Sequence, residues 1–485
     1  MLFVLQVLYI VAFIPLLLAS AASALLFVVY LVAKKSPYTS ERLSEDAFPV
    51  VAVQLPLFNE QHVAERLVRA VAAFNYPCQK LHIQVLDDST DDTTALLAPV
   101  IEDVRRQGIQ IDLIHREKRV GYKGGALDNG LKLLPPEVEF VAIFDADFVP
   151  PADFLERTVP ILVANPKIGL VQARWTHLNA TQNLLTRAQA VIIDMHFIVE
   201  QSARARGGLL FSFNGTGGIW RRAAIESAGG WQWDTLTEDA DLSLRAQLSG
   251  WQFAYLPDLA IPGELPPTLL AFKTQQARWA RGTFQTFLKL ARRIIAARSI
   301  PFQARLLGAQ MLTAYASQGL GVLVMVLTVP LLLMGGISSS ALALWSIFGT
   351  FVPMSFLAGQ LMQSGAWVIR WLVAFPLVAV LSAGMTINNG FAAFAALRGK
   401  TGEFIRTPKF AAKSWVRSPY AQNRQPERFW EIFFGLYALI GMVVSLLHAP
   451  AWAGYFAIYA AGFLLVAIWG AWEMAQARTK TSSRA

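Results

Sequence analysis

One cysteine, Cys78, is all that the 485 residues contain. No internal disulfide and no thiolate metal cage can form, which fits a reducing compartment, and Cys78 reads as structural. Histidine is nearly as scarce, and His177 and His196 have no partners at metal-ligand spacing, so both read as structural too. Charged residues make up only 15% of the chain against 54% hydrophobic. That is too apolar for one soluble globule and too charged for membrane throughout, so the composition must be uneven. Residues 3–33 carry no charge at all, charge-poor stretches return only after about residue 306, and an ordinary soluble composition lies between.

The first stretch has no basic residue before it and Lys34 and Lys35 after it, and it is far longer than a secretory core. It reads as a signal anchor, residues 1–35, whose following chain is cytosolic by the positive-inside rule. The net charge of +9 could suggest nucleic acid, but Arg292, Arg293, Arg298, Arg305 and the basic residues of 398–428 all flank apolar runs. A lipid bilayer is the partner this pattern fits, and no nucleic-acid partner is expected.

Over 48–263, short apolar runs alternate with helical periods, as in VVAVQLPL followed by EQHVAERLVRAVAAF. This predicts an α/β domain with a mostly parallel sheet covered on both faces. Two apolar runs end in acids, IQVLDD at 83–88 and EFVAIFDAD at 139–147, at the strand ends where open α/β sheets bind ligands. Residues 264–305 read as amphipathic interface helices, and 306–476 as a transmembrane region. That region holds five apolar runs, and residues 391–428 carry eight Lys or Arg against two Glu. For this loop to share the cytosolic side, one run before it must fail to span. The most polar, 341–363, is assigned that part, although Arg370 would then face outward; five spans and a cytosolic tail, 477–485, result. Trp345, Trp367, Trp371, Trp452 and Trp469 are expected as interfacial belt residues.

Four clusters carry chemistry. Asp87-Asp88-Ser89-Thr90 offers acceptor-only side chains to a nucleobase N–H, although such a turn equally caps a helix. Asp145-Ala146-Asp147 can hold Mg²⁺ or Mn²⁺, hard cations that bind through one or two carboxylates and phosphate oxygens. In Thr237-Glu238-Asp239 a carboxylate can take a proton from an acceptor hydroxyl; an N-cap with an acidic first turn is the alternative. Gln275-Gln276-Ala277-Arg278-Trp279 pairs a forked cation for a diphosphate with a ring on which a pyranose can stack, or else forms an amphipathic helix with a snorkelling Arg.

In this order the clusters resemble glycosyltransferase family 2, with QxxRW similar to the signature of its processive polysaccharide synthases. QLPLFNE (54–60), GYKGGAL (121–127), LVQARW (170–175), FNGTGGIWR (213–221), AGGW (228–231) and ELPPT (264–268) look like the cellulose-synthase-like mannan and glucomannan synthases. The resemblance covers about 48–285 and implies a GT-A-like, Rossmann-related cytosolic domain set in a helical transmembrane bundle. It further implies that Asp87 and Asp88 contact the nucleoside, that Lys123, Gln275 and Arg278 serve the diphosphate, and that Asp145 and Asp147 hold the metal. Asp239, beside Glu238, becomes the base of an inverting transfer. Trp279 with Phe213, Asn214, Gly215 and Thr216 meets the acceptor, though the glycines of that stretch also suit a tight turn. The expected partners are a nucleotide sugar, GDP-mannose or UDP-glucose, and a growing β-linked polysaccharide in a bacterial inner or plasma membrane, with β-1,4 linkage by resemblance alone. Two other readings stay open: a single transfer to a lipid acceptor, and a transporter, against which the scarcity of intramembrane charge counts. A basic segment at 402–410 is expected as a gate over the donor site or as a lipid-contacting loop. No cyclic-dinucleotide-binding domain is expected within the nine residues after Gln476.

Overall fold

The computed structural model describes residues 1–34, 47–337, 351–361, 367–399 and 427–482, with the single positions 38, 43 and 44. The expected gate at 402–410, most of the basic loop 391–428, Trp345 and the side chains of Trp367, Arg370, Trp371 and the tail lie outside the described residues.

Seven strands form the sheet: β1 Val50–Leu57, β2 Leu81–Asp87, β3 Gln110–His115, β4 Val138–Ile143, β5 Ile168–His177, β6 Gly218–Arg221 and β7 Gln252–Gly263, in the order β3-β2-β1-β4-β6-β5-β7. β1 shows why: Val51, Val53, Leu55 and Leu57 enter one core and Ala52 the other, as the two-residue period of a strand covered on both faces demands. The first core is completed by Leu67 and Val71 of the helix Ala64–Ala72 and by Val100 and Val104 of Thr93–Arg106. The second takes Leu127 and Leu131 from Tyr122–Leu133 and Leu242 and Ala246 from Glu238–Leu248.

The expected mostly parallel sheet is present, and β6 is its exception, antiparallel to both β4 and β5. This inversion builds the site. β1, β2, β4, β5 and β7 bring their C-terminal ends to one edge, and because β6 runs the other way, the loop that enters it arrives at that same edge. Gly218 pairs with Ile143, the last residue of β4, and the Gly217 N–H donates to the Ile143 carbonyl at 2.9 Å.

Among the described residues, five helices are long and apolar enough to cross a membrane: Leu2–Val32, Phe302–Leu333, Ala374–Arg398, Glu427–His448 and Pro450–Gln476. The described part of the run assigned as non-spanning is a helix, Phe351–Leu361. Small residues let these helices approach closely: a Cβ on Gly384 would meet the Gly462 carbonyl at 2.4 Å, and one on Gly390 the Gly319 Cα at 2.6 Å. Trp452 corrects an expectation. It is 1% exposed, packed edge-on against Tyr455 inside the bundle, and therefore not a belt residue. Sheet and bundle are joined by one 28-residue helix, Leu269–Ala296, the interface helix, capped at its start by the Thr268 hydroxyl accepting from Ala271 N–H.

Candidate active site

The sheet's C-terminal edge and the interface helix line one open cleft. Asp88, Lys123, Asp145, Asp147, Asn214, Gly215, Glu238, Asp239, Gln275, Arg278 and Trp279 all line it, so four clusters spread over 190 positions of chain meet in one cavity. Asp87, Phe213 and Thr216 do not line it.

Lys123 is the hub. It sits in the first turn of Tyr122–Leu133, and its Nζ lies 2.5 Å from Asp145 Oδ1 and 2.7 Å from the Gly215 carbonyl. Burial works to lower its pKa, but the charges of Asp145, Glu238 and Asp239 outweigh burial and hold it above the ordinary lysine value. Gly215 makes the approach possible. Its φ is +82°, and a Cβ there would stand 3.0 Å from Asp239 Oδ2 and 3.4 Å from Lys123 Nζ, in the space between carboxylate and ammonium.

Glu238 and Asp239 open the helix Glu238–Leu248. Burial, and then the charge of Asp239, push the Glu238 carboxyl up to about 7. Asp239 is also raised, chiefly by burial, against the pull of Lys123, the Ala240 N–H and Arg278. A carboxylate that gives up its proton this reluctantly also takes one readily, as a general base must. The helix is fixed from below by Asp241, fully buried, with Arg245 at 2.8 Å and Lys289 of the interface helix at 3.0 Å. The two helices nearly touch where Gly282 faces Thr237: a Cβ there would meet Thr237 Cγ2 at 2.6 Å.

The Asp87–Asp88 pair lives differently. Asp87 is fully buried; its oxygens accept from the Ser89 N–H at 3.0 Å, from Thr94 Oγ1 and from His115 Nδ1 at 3.1 Å. Burial alone would raise its pKa, but these hydrogen bonds prevail and the carboxyl is held below its ordinary value. Asp88 faces the cleft, gripped by Arg116 through Nε at 2.7 Å and Nη2 at 2.6 Å. Beside it the Arg119 guanidinium lies 3.6 Å over the Phe58 ring, which forms the wall at this end.

The FNGTG stretch is divided. Asn214 and Gly215 face the cleft, whereas Phe213 is 1% exposed in the second core, edge-on to Trp220, and Thr216 is fully buried, its hydroxyl accepting from the Asp145 N–H at 2.9 Å. Phe213 and Thr216 therefore hold the loop and the DxD turn in place rather than offering surface to an acceptor. Their type says as much: a phenylalanine beside an antiparallel β-strand is core before it is a binding face.

Three lining residues were missed in the sequence. Trp175 stacks between Phe148 and Phe197 and donates to the Thr216 carbonyl at 3.2 Å. His177, read as structural, lines the cleft with its Nε2 3.2 Å from Asp194 Oδ1. Both lie at the C-terminal end of β5 and, two residues apart, on one face, a signal available from strand period alone. Arg119 sits in an irregular loop and had no such signal.

Asp145 and Asp147 suit a divalent cation that keeps waters and takes phosphate oxygens, since they supply two hard oxygens. Among the described residues no group of three or more His, Cys, Asp or Glu could cage a metal alone. The Lys123 ammonium against Asp145 shows that this carboxylate is placed to hold a positive charge.

A mostly parallel sheet with one inverted strand and acids at its C-terminal edge defines the GT-A-like class of nucleotide-sugar folds. Residues 140–387 match the family model described as glycosyl transferase family group 2, and residues 52–227 that of glycosyl transferase family 2. The chain belongs to this family. Among similar proteins, glucomannan 4-beta-mannosyltransferase 2 of Arabidopsis thaliana is 47% identical over 267 residues, 55% of this chain and 50% of the relative. Glucomannan 4-beta-mannosyltransferase 1 of Cyamopsis tetragonoloba is 40% identical over 59% of this chain and 56% of its own length. The chain thus spans about half the length of the curated relatives it matches. Among solved structures, the mannosyltransferase PcManGT of Pyrobaculum calidifontis, in complex with GDP-Man and Mn²⁺, superposes with a TM-score of 0.54 at 20% identity, over 80% of this chain and 99% of that one, which bears on the fold alone.

Proposed function

We propose that this protein is a membrane-embedded, inverting hexosyltransferase that takes a sugar from a nucleoside diphosphate, mannose from GDP-mannose before glucose from UDP-glucose, and extends a β-1,4-linked mannan or glucomannan. The observation that carries this reading is the convergence of Asp239, Lys123, Asp145, Arg278 and Trp279 on one cleft. The names of the relatives supply the sugar and the linkage.

In this reading the acceptor's terminal sugar rests on Trp279 near Asn214 and presents a hydroxyl to Asp239. The carboxylate takes the hydroxyl proton as the oxygen bonds to the anomeric carbon and the bond from that carbon to the β-phosphate oxygen breaks. One base and one displacement invert the anomeric centre, and no second carboxylate is needed as a nucleophile. Burial keeps Asp239 basic, and its charge in turn raises the neighbouring Glu238. Lys123 and Arg278 gather the charge on the departing diphosphate, and Asp88 with Arg119 and Phe58 receive the nucleoside. A Mg²⁺ or Mn²⁺ held by Asp145 and Asp147 would neutralise part of that charge. The catalytic domain faces the cytosol, and the polymer leaves through the adjoining spans.

The test is made on membranes containing the protein with Mn²⁺ or Mg²⁺, offering radiolabelled GDP-mannose and UDP-glucose separately beside an Asp239→Asn control. Long β-mannan from GDP-mannose, absent in the control, is the expected result. Glucan from UDP-glucose would correct the donor, a short lipid-linked product would replace processive synthesis by a single transfer, and no turnover with either nucleotide would sink the assignment.

A further inference from the structure

The interface helix carries Gln275, Arg278 and Trp279 into the cleft, so its rotation and its position along its own axis decide where the guanidinium and the indole stand. Both are set from the membrane side. Glu473, near the end of the last membrane helix, spans 204 positions of sequence to cap the interface helix: its Oε1 accepts the Leu269 N–H at 2.8 Å and its Oε2 the Leu270 N–H at 3.0 Å. With Thr268 on Ala271, three of the amides that a helix start leaves open have partners, and a carboxylate stands at the positive end of the helix. One turn on, Lys273 Nζ meets Glu431 Oε1 at 2.5 Å with both side chains almost wholly buried, and Asn388 Nδ2 donates to the Lys273 carbonyl at 3.1 Å. Next to Gln275, the Tyr315 hydroxyl donates to Gln276 Oε1 at 3.1 Å. Each of these partners belongs to a different membrane helix.

Lys273, Glu431 and Glu473 do not line the cleft. Nor does stability account for them: a buried ion pair is seldom worth more than an apolar pair of the same volume, and ionisable groups within spans are costly. We propose that Glu473 and the Lys273–Glu431 pair are positioning residues that lock the register of the interface helix against the last two spans, so that Arg278 and Trp279 stand at a set distance from Asp239. Leu269 and Arg278 are nine residues apart, roughly 14 Å of helix rise, and a slip at the clamp is transmitted along that length to the cleft. The kinetic consequence rests on the transfer reaction proposed above; the clamp itself does not.

The test uses the full chain in lipid vesicles. Lys273→Met or Glu431→Leu alone strands a buried charge and is expected to destabilise, whereas the double variant replaces the pair by apolar side chains and is expected to regain a near wild-type unfolding midpoint. If the pair positions the helix, the double variant still turns over on the order of 10- to 10²-fold more slowly, the loss falling mainly on kcat. Amide exchange over 269–282 rises in it as well, and Glu473→Gln, which keeps one acceptor for the cap, retains more activity than Glu473→Ala. A double variant with wild-type kcat and wild-type exchange overturns the proposal. Should the wild-type protein show no sugar transfer, that reading fails by itself, and the exchange data decide the clamp: unaltered exchange in the double variant and in Glu473→Ala overturns it.

Discussion

Asp87–Asp88 and Glu238–Asp239 are both pairs of adjacent acids at the same edge of the sheet, and their surroundings divide them. The oxygens of Asp87 and Asp88 are claimed by Ser89, Thr94, His115 and Arg116, and the hydrogen bonds to Asp87 hold its proton off well into acid. Glu238 and Asp239 share Lys123 with Asp145 and also feel Arg278, yet burial raises both. The Asp87 carboxyl is thus held charged by its hydrogen bonds, whereas burial makes the Glu238 and Asp239 carboxyls take up a proton more readily. Environment divides the labour between chemically similar groups.

The sharpest way to break the comparison is to exchange the two losses. Asp239→Asn should lower sugar transfer about 10²- to 10⁴-fold with an unfolding midpoint close to wild type, as read by labelled-sugar incorporation beside a thermal melt. Arg116→Ala should do the reverse. It strands the buried Asp88 carboxylate and costs roughly 2–3 kcal/mol of stability, less than the full loss of a buried pair because Arg119 remains 3.8 Å away. If the first variant melts early or the second stays stable, the division of roles is wrong.

Smaller effects sharpen the contrast. Because Asp239 must be ionised to act and its pKa is raised, activity should climb as pH rises toward neutrality. The Asp239 charge raises Glu238, whereas Asp239 itself is raised by burial and by Asp145, so Glu238→Gln should leave that acidic limb close to its place; a limb that moves to lower pH means that the Glu238 charge does set it. For Asp87 the sign is opposite. Its folded pKa lies below the unfolded value, so it contributes stability that is fully present above about pH 4 and lost as pH falls through the folded value. Asp87→Asn should therefore lose less stability on acidification than wild type does, as urea unfolding at a series of acid pH values would measure. A parallel dependence in the two proteins would remove Asp87 from the account.

Much of this was legible in the chain. Runs such as VVAVQLPL and IQVLD announce buried parallel strands, and acids at their ends announce a ligand edge, because period and burial are local consequences of residue type. Asp145, Asp147, Glu238, Asp239, Arg278 and Trp279 could be named from four short clusters. What failed had a common physical cause. Phe213 and Thr216 were credited with surface they do not have, since a motif does not say which of its side chains turns inward. Trp452 was misread because it is defined by the aromatic packing of the bundle, which no short stretch of sequence shows.

By itself the sequence determined the classes of element, the division between sheet and apolar helices, and most of the charged residues that line the cleft, all of which follow from composition and short-range pattern. Only the tertiary structure decided which carboxyls are raised and which lowered, that inverting β6 carries the glycine loop to the Asp145–Asp147 turn, and that Glu431 and Glu473 reach the foot of the interface helix. Those outcomes depend on burial and on contacts between segments up to 204 positions apart. Free energies of that kind belong to the packed molecule and to no stretch of chain alone.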